Sequence, residues 1–201
     1  MSKKFIITAS IFLSFFFTNN QVFASDNDSI KSAWGISISY WGTVINSSGI
    51  QAGLENKVLK SEKYTLVNSM SLLTQRRKDI YTSAGLRVGS DLRRTYRWGL
   101  YLEHGIRFGY LGSYFDIDIY KIDPDGEIVN IGRKWINSIV LGYSLGFGYD
   151  FSKVSKLNMQ IFVKPNIYYR VPNNDNPFYL NNFSFEAGLI VHPKFLRKVI
   201  N

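Results

Sequence analysis

The segment Trp98-Gly-Leu-Tyr-Leu-Glu-His-Gly-Ile-Arg-Phe-Gly-Tyr110 decides how the rest of the chain is read. Trp98, Leu100, Leu102, Ile106, Phe108 and Tyr110 fall on one parity. Gly99, Tyr101, Glu103, Gly105, Arg107 and Gly109 fall on the other. Side chains of a β-strand point alternately to the two faces of its sheet, so this is a strand with one bulky apolar face and one face of glycine and charge.

The same alternation recurs seven more times. Before it come Trp34, Ile36, Ile38, Tyr40 against Gly35, Ser37, Ser39; then Ile50, Ala52, Leu54 against Gln51, Gly53, Glu55, Lys57; then Leu66, Met70, Leu72 against Thr65, Ser69, Ser71; then Ile80, Ala84, Leu86, Val88 against Tyr81, Ser83, Gly85, Arg87, Gly89. After it come Leu141 to Phe151 against Gly142, Ser144, Gly146, Gly148; then Leu157, Met159, Ile161, Val163, Ile167 against Asn158, Gln160, Lys164, Asn166, Arg170; and last Phe183, Phe185, Ala187, Leu189, Val191 against Ser184, Glu186, Gly188. Each segment is close to the roughly 9–11 residues that a tilted strand needs to cross a bilayer. An even number of strands puts both chain ends on one side. The turns near Ser61, Arg93 and Ser155 are then periplasmic and the others external, the longest being 112–134.

A soluble barrel or sandwich also alternates, but it keeps its large apolar residues inside and its charges outside. Here the bulky face carries almost no charge, whereas the Gly- and Ser-rich face carries Glu55, Lys57, Arg87, Glu103, Arg107, Lys164, Arg170 and Glu186. Small residues with a few opposed charges suit the narrow interior of a closed barrel, and Leu, Ile, Phe and Tyr suit lipid. The fold expected is all-β, an eight-stranded antiparallel transmembrane β-barrel with up-and-down meander topology. Trp34 and Trp98 at periplasmic strand starts, with Trp41 and Trp135 at external strand ends, are expected to form the two aromatic girdles.

Composition narrows the chemistry. The 201 residues include no cysteine and two histidines, with 24 Lys+Arg against 15 Asp+Glu. Disulfides, thiolate metal sites and cysteine nucleophiles are excluded. Lys3 and Lys4, the apolar run Phe5–Phe17 and Val22-Phe23-Ala24 have the form of a secretory signal peptide, 1–24, too short to span a bilayer as a helix. The mature domain, 25–201, would then carry a formal charge of +7, the +9 of the whole chain less two lysines. Such a charge suits anionic lipopolysaccharide or an acidic partner, and nucleic acid is not expected for an exported barrel.

Over residues 33–193 the chain resembles the small OmpA/OmpX-type outer-membrane barrels. The likeness rests on the signal peptide, the eight alternating segments and runs such as Leu141-Gly-Tyr-Ser-Leu-Gly-Phe-Gly-Tyr-Asp-Phe151. It implies a location in the outer membrane of a Gram-negative bacterium and an architecture, not an activity. Two features depart from the pattern. Phe195, a candidate for the terminal aromatic of such barrels, is followed by six more residues, and Pro165 interrupts the lipid face of the seventh segment.

Function is sought in three places. The interior charges are expected to pair into a plug, with Arg107 and Glu103 near Arg87 or Glu55. Arg76, Arg77 and Lys78 stand at the outer surface, where they would meet lipopolysaccharide phosphates. The long loop reads as a two-stranded ribbon, Tyr114–Ile122 against Glu127–Ile131, turned by Asp-Pro-Asp-Gly. Ile117, Ile119 and Tyr120 on it are the expected contacts for another outer-membrane or surface protein. Its alternate acidic residues do not match a calcium-loop spacing. A lipid A-modifying enzyme is the rival reading, but neither His104 nor His192 has a serine two residues on, as the deacylase signature requires. The chain is therefore read as a structural or accessory protein, not an enzyme, with no metal and no cofactor.

Overall fold

In lipid every backbone N–H and C=O must find a partner within the protein, and a sheet achieves this only by closing on itself. The computed structural model describes residues 34–43, 47–61, 63–172 and 180–193, and these form such a closed sheet. The expected signal peptide, Phe195 with the rest of 194–201, and 173–179 of the last external loop lie outside the described residues.

Eight strands make the wall: β1 (Trp34–Thr43), β2 (Ser47–Lys60), β3 (Tyr64–Arg77), β4 (Tyr81–Thr95), β5 (Leu100–Phe115), β8 (Trp135–Asp150), β9 (Met159–Pro172) and β10 (Leu180–Val191). All neighbours are antiparallel, and β10 pairs back onto β1. Between β5 and β8 a separate hairpin, β6 (Ile119–Ile122) with β7 (Ile128–Gly132), stands apart from the wall.

The register fixes the tilt. One circuit runs Trp34, Asn56, Asn68, Ser90, Ile106, Tyr143, Ile167, Phe183, and the β1–β10 register, which sets Phe185 opposite Gly42, gives a stagger of ten residues per turn. A stagger of this size over eight strands tilts them about 40° from the axis and makes the circuit climb about 25 Å. That height equals the apolar band of an outer-membrane barrel, about 25 Å.

The two faces have the expected contents. Outward residues such as Leu72 (66% exposed), Ile106 (65%) and Leu141 (55%) present bare apolar surface around the wall. Inward positions hold Glu55, Arg87, Asp91, Arg93, Glu103, Arg107, Lys164 and Glu186, all buried. Glycines make room for them: a Cβ on Gly146 would meet Glu103 Cγ at 2.8 Å and Lys164 Cγ at 2.9 Å.

The described turns are less asymmetric than the sequence suggests. At the end shared by Trp34 and Val191, β8 and β9 are joined through a 3₁₀ turn, Phe151–Lys153, whereas at the far end β3 passes to β4 through 78–80 alone. The length outside is concentrated in 116–134. Within it the ribbon is shorter than expected, because Tyr114 and Phe115 continue β5 and pair with Trp135 and Tyr81 in the barrel wall. Pro165 produces no register shift. It keeps its place opposite Phe185 on β10, while the β8–β9 ladder lapses between Ser144↔Asn166 and Phe147↔Val163. Proline brings no N–H to a ladder, so the seam opens locally without a bulge.

Gly146→Leu would drive its side chain into the Glu103–Lys164 pair. We expect about 3 kcal/mol or more of destabilisation, with a lowered urea midpoint in detergent or liposomes, whereas Leu145→Ala on the lipid face should change the midpoint far less.

Candidate functional site

Inside so narrow a bore a charged side chain has no bulk water and must be paired. The pairing has two tiers. In the lower one Arg93 is the hub: its Nε donates to Glu103 Oε2 at 2.6 Å, its Nη2 to Glu55 Oε2 at 3.1 Å and its Nη1 to Gln160 Oε1 at 2.9 Å. Lys164 Nζ meets Glu103 Oε1 at 2.7 Å and lies within 4 Å of Glu55 and Asp91. Arg107 Nη2 donates to Asp91 Oδ2 at 2.5 Å, and the Ser144 hydroxyl donates to the other Asp91 oxygen. In the upper tier Arg87 Nη2 bridges Glu186 Oε2 at 2.7 Å and Gln51 Oε1 at 2.6 Å, and Gln51 returns a bond to Glu186 at 3.0 Å. Arg87, Arg93, Arg107 and Lys164 thus face Glu55, Asp91, Glu103 and Glu186, four charges of each sign.

Aromatic and aliphatic groups close both ends of this network. Tyr101, Phe162 and Ile190 pack beneath it. Trp41, Leu111, Val140 and Tyr168 pack above it. Cations and rings meet directly, with the Arg87 guanidinium 4.2 Å from the Trp41 ring centre, Arg93 4.5 Å from Tyr101 and Lys164 Nζ 4.6 Å from Phe162.

Several expectations need correction. Trp41 belongs to no girdle: it has inward parity, is 4% exposed and stacks its ring against the Arg87 guanidinium. Trp34 lies half-buried at the start of β1, Trp98 is exposed in the turn before β5 and Trp135 is exposed at the start of β8. The expected pairing of Arg107 with Glu103 is replaced by Arg107–Asp91 and Arg93–Glu103. Asp91 and Arg93 are missing from the sequence-derived set because β4 runs on to Thr95, where a periplasmic turn was expected around Arg93. The signal was present in the parity of 87, 89, 91 and 93. Ser90, a polar residue on the apolar parity, hides it.

Lys57 and Arg170 point inward at opposite ends, and neither forms an ion pair among the described residues. Arg170 Nη2 donates to Ser113 Oγ at 3.0 Å. His192, beyond the end of β10, holds Trp34 O at 3.2 Å through Nδ1, and burial together with the nearby Lys57 cation keeps its imidazole below the usual histidine range. His104 lies on the opposite, outward face against Tyr143. The two histidines are thus separated by the barrel wall.

Outside, Arg76 and Lys78 are exposed and Arg77 is half-buried at the β3–β4 hairpin. Ile117 and Tyr120 are exposed on and beside the β6–β7 ribbon; Ile119 lies in β6, and its side chain is outside the described part.

An apolar outer belt, a closed ladder and an interior plugged by paired charges define the class: a small eight-stranded outer-membrane-type β-barrel. No family model matches the chain, and no curated protein matches its sequence. Among solved structures it is similar to the neisserial surface protein NspA at 12% identity, with a TM-score of 0.48, covering 83% of this chain and 100% of that one. It is also similar to Ail, the attachment invasion locus protein of Yersinia pestis, at 10% identity and TM-score 0.46, covering 80% and 96%. The N-terminal barrel domain of Pseudomonas aeruginosa OprF gives 14% identity and TM-score 0.32, covering 80% and 98%.

Removing the hub leaves Glu103 and Glu55 to share Lys164 in a dry interior. Arg93→Met should therefore destabilise the barrel by about 3–5 kcal/mol in reversible urea unfolding, and adding Glu103→Leu should recover part of the loss.

Proposed function

We propose that this chain is a structural or accessory protein of the outer membrane, in which the barrel is a closed anchor and the external ribbon contacts another outer-membrane or surface protein. The observation that carries the reading is the ribbon itself. A two-stranded sheet has free edges on both sides, and this one exposes Ile117, Tyr120, Ile122 (68%), Ile128 (72%) and Val129 beyond the barrel wall. Unpaired backbone edges flanked by apolar side chains offer both halves of strand-addition recognition, main-chain hydrogen bonds and side-chain contacts. Asp123 fixes the tip, accepting from the backbone N–H groups of Asp125 at 3.0 Å and Glu127 at 2.9 Å, so the ribbon is held ready without its partner.

The plugged interior supports an anchoring role. The salt-bridged network and its two apolar lids occupy the path that a pore would use. The reading includes no catalysis: His192 is engaged with the backbone of Trp34 and His104 faces lipid.

Replacing 117–133 by a short Gly-Ser link should leave a folded barrel and abolish co-purification of the partner from native outer membranes in mild detergent. A stoichiometric partner that persists after the deletion refutes the ribbon as its binding element. Arg76, Arg77 and Lys78 would hold outer-leaflet phosphates, each contributing about 1 kcal/mol at low salt. Changing all three to Gln should weaken binding to lipopolysaccharide-containing vesicles, with a smaller difference at high salt; unchanged binding at low salt would remove that assignment.

A further inference from the structure

Low on one side of the outer wall, polar side chains gather on neighbouring strands. Asn56, Asn68 and Ser90 are successive members of one cross-strand row on β2, β3 and β4, and His104 lies beside the row on β5, opposite Leu92. Asn68, Ser90 and His104 face outward, since Val67, Asp91 and Glu103 beside them in the chain are buried inside, whereas Asn56 shares the parity but is itself buried. At the stagger derived above, each step of the row climbs about 3 Å, which places Asn68, Ser90 and His104 about 6–9 Å above the level of Trp34, within the periplasmic leaflet. Around the rest of the wall, outward residues near this depth are apolar: Ile38, Leu54, Leu145, Phe147 and Leu189.

Asn68 and His104 are incompletely satisfied. The Ser90 hydroxyl donates to Asn68 Oδ1 at 3.0 Å, but among the described residues the Asn68 amide N–H groups find no acceptor, and His104 makes only a ring contact with Tyr143, 6.2 Å between centres. Donors facing hydrocarbon have no water to turn to, and polar groups on a lipid face are retained where something else meets them.

We propose that a second copy of this chain meets them, two barrels packing side by side through the lipid-facing wall of β3, β4 and β5. Three properties of the patch select that occupant. It bears no formal charge, so it does not favour an ionic partner. It lies below headgroup depth, where lipid offers only acyl chains. Its amide, hydroxyl and imidazole each donate and accept, so the patch is its own complement, as a two-fold interface requires. The inference is independent of the external ribbon and rests on the membrane-spanning barrel alone.

The chain has no cysteine, so a single introduced thiol reports one surface. Met70→Cys stands next to Asn68 on the outer face of β3, and Leu189→Cys stands on the opposite wall. Both are produced as full chains in native outer membranes and treated with a short bismaleimide. Met70→Cys should give a band of twice the monomer mass, and Leu189→Cys should not. Adding Asn68→Leu and His104→Leu to Met70→Cys should lower that yield about ten-fold, the effect of losing one or two hydrogen bonds across the interface. Polar-to-Leu changes on a lipid face favour the folded barrel, and Ser90→Ala provides a milder variant with a partial loss. The proposal is overturned by equal cross-linking at both positions, by no doubled band, by a product containing a different protein, or by a doubled band that persists without the polar side chains.

Discussion

A charge inside an eight-stranded barrel can be neutralised only by another side chain of the same barrel. Around that constraint the interior is arranged. Four cations and four carboxylates meet over a few ångströms, Arg93 and Glu186 each engage more than one partner, and serines and glutamines take up remaining lone pairs and protons. Glycine at Gly89 and Gly146 follows from the same requirement, because the long arms of Arg107, Glu103 and Lys164 occupy the space where a Cβ would stand. Rings above and below the network exclude water from it, which strengthens each pair and raises the penalty for losing one member.

The exterior answers to a different solvent. Apolar residues face outward because hydrocarbon, not water, surrounds them, and the ladder closes because an open edge in lipid would leave backbone groups unpaired. The wall is not uniform. At Pro165 the β8–β9 ladder lapses locally while β9 stays paired to β10, so the cost is confined to one seam. At Asn68 and Ser90 polar side chains replace apolar ones on the opposite side of the barrel. The first is a backbone irregularity within an intact register; the second is a surface whose hydrogen bonds extend beyond the chain.

The parts that hold the barrel shut are separate from the external ribbon. The plug and the ladder hold the barrel shut. The ribbon belongs to neither, since its two strands form a separate sheet and Tyr120, Ile122, Ile128 and Val129 on it are exposed. Such an element can vary without disturbing the anchor, which is how loops on a rigid scaffold come to carry binding.

The strand parity, the number of wall strands and the contents of the two faces were legible in the sequence because alternation with period two is a local property, readable wherever apolar residues mark one face. Glu55, Arg87, Glu103, Arg107, Lys164 and Glu186 were assigned to the interior in this way. Legibility fails where the marking fails: Ser90 on the outer parity interrupts the fourth segment and hides Asp91 and Arg93, and Trp41 has the residue type of an interface but a parity that points inward. The ion pairs themselves were out of reach. Which carboxylate meets which cation depends on the stagger between strands and on closure of β10 onto β1, relations between residues far apart in the chain. Alternation determined that these charges lie inside; only the tertiary register decided that they neutralise one another, because a local pattern carries direction and not distance.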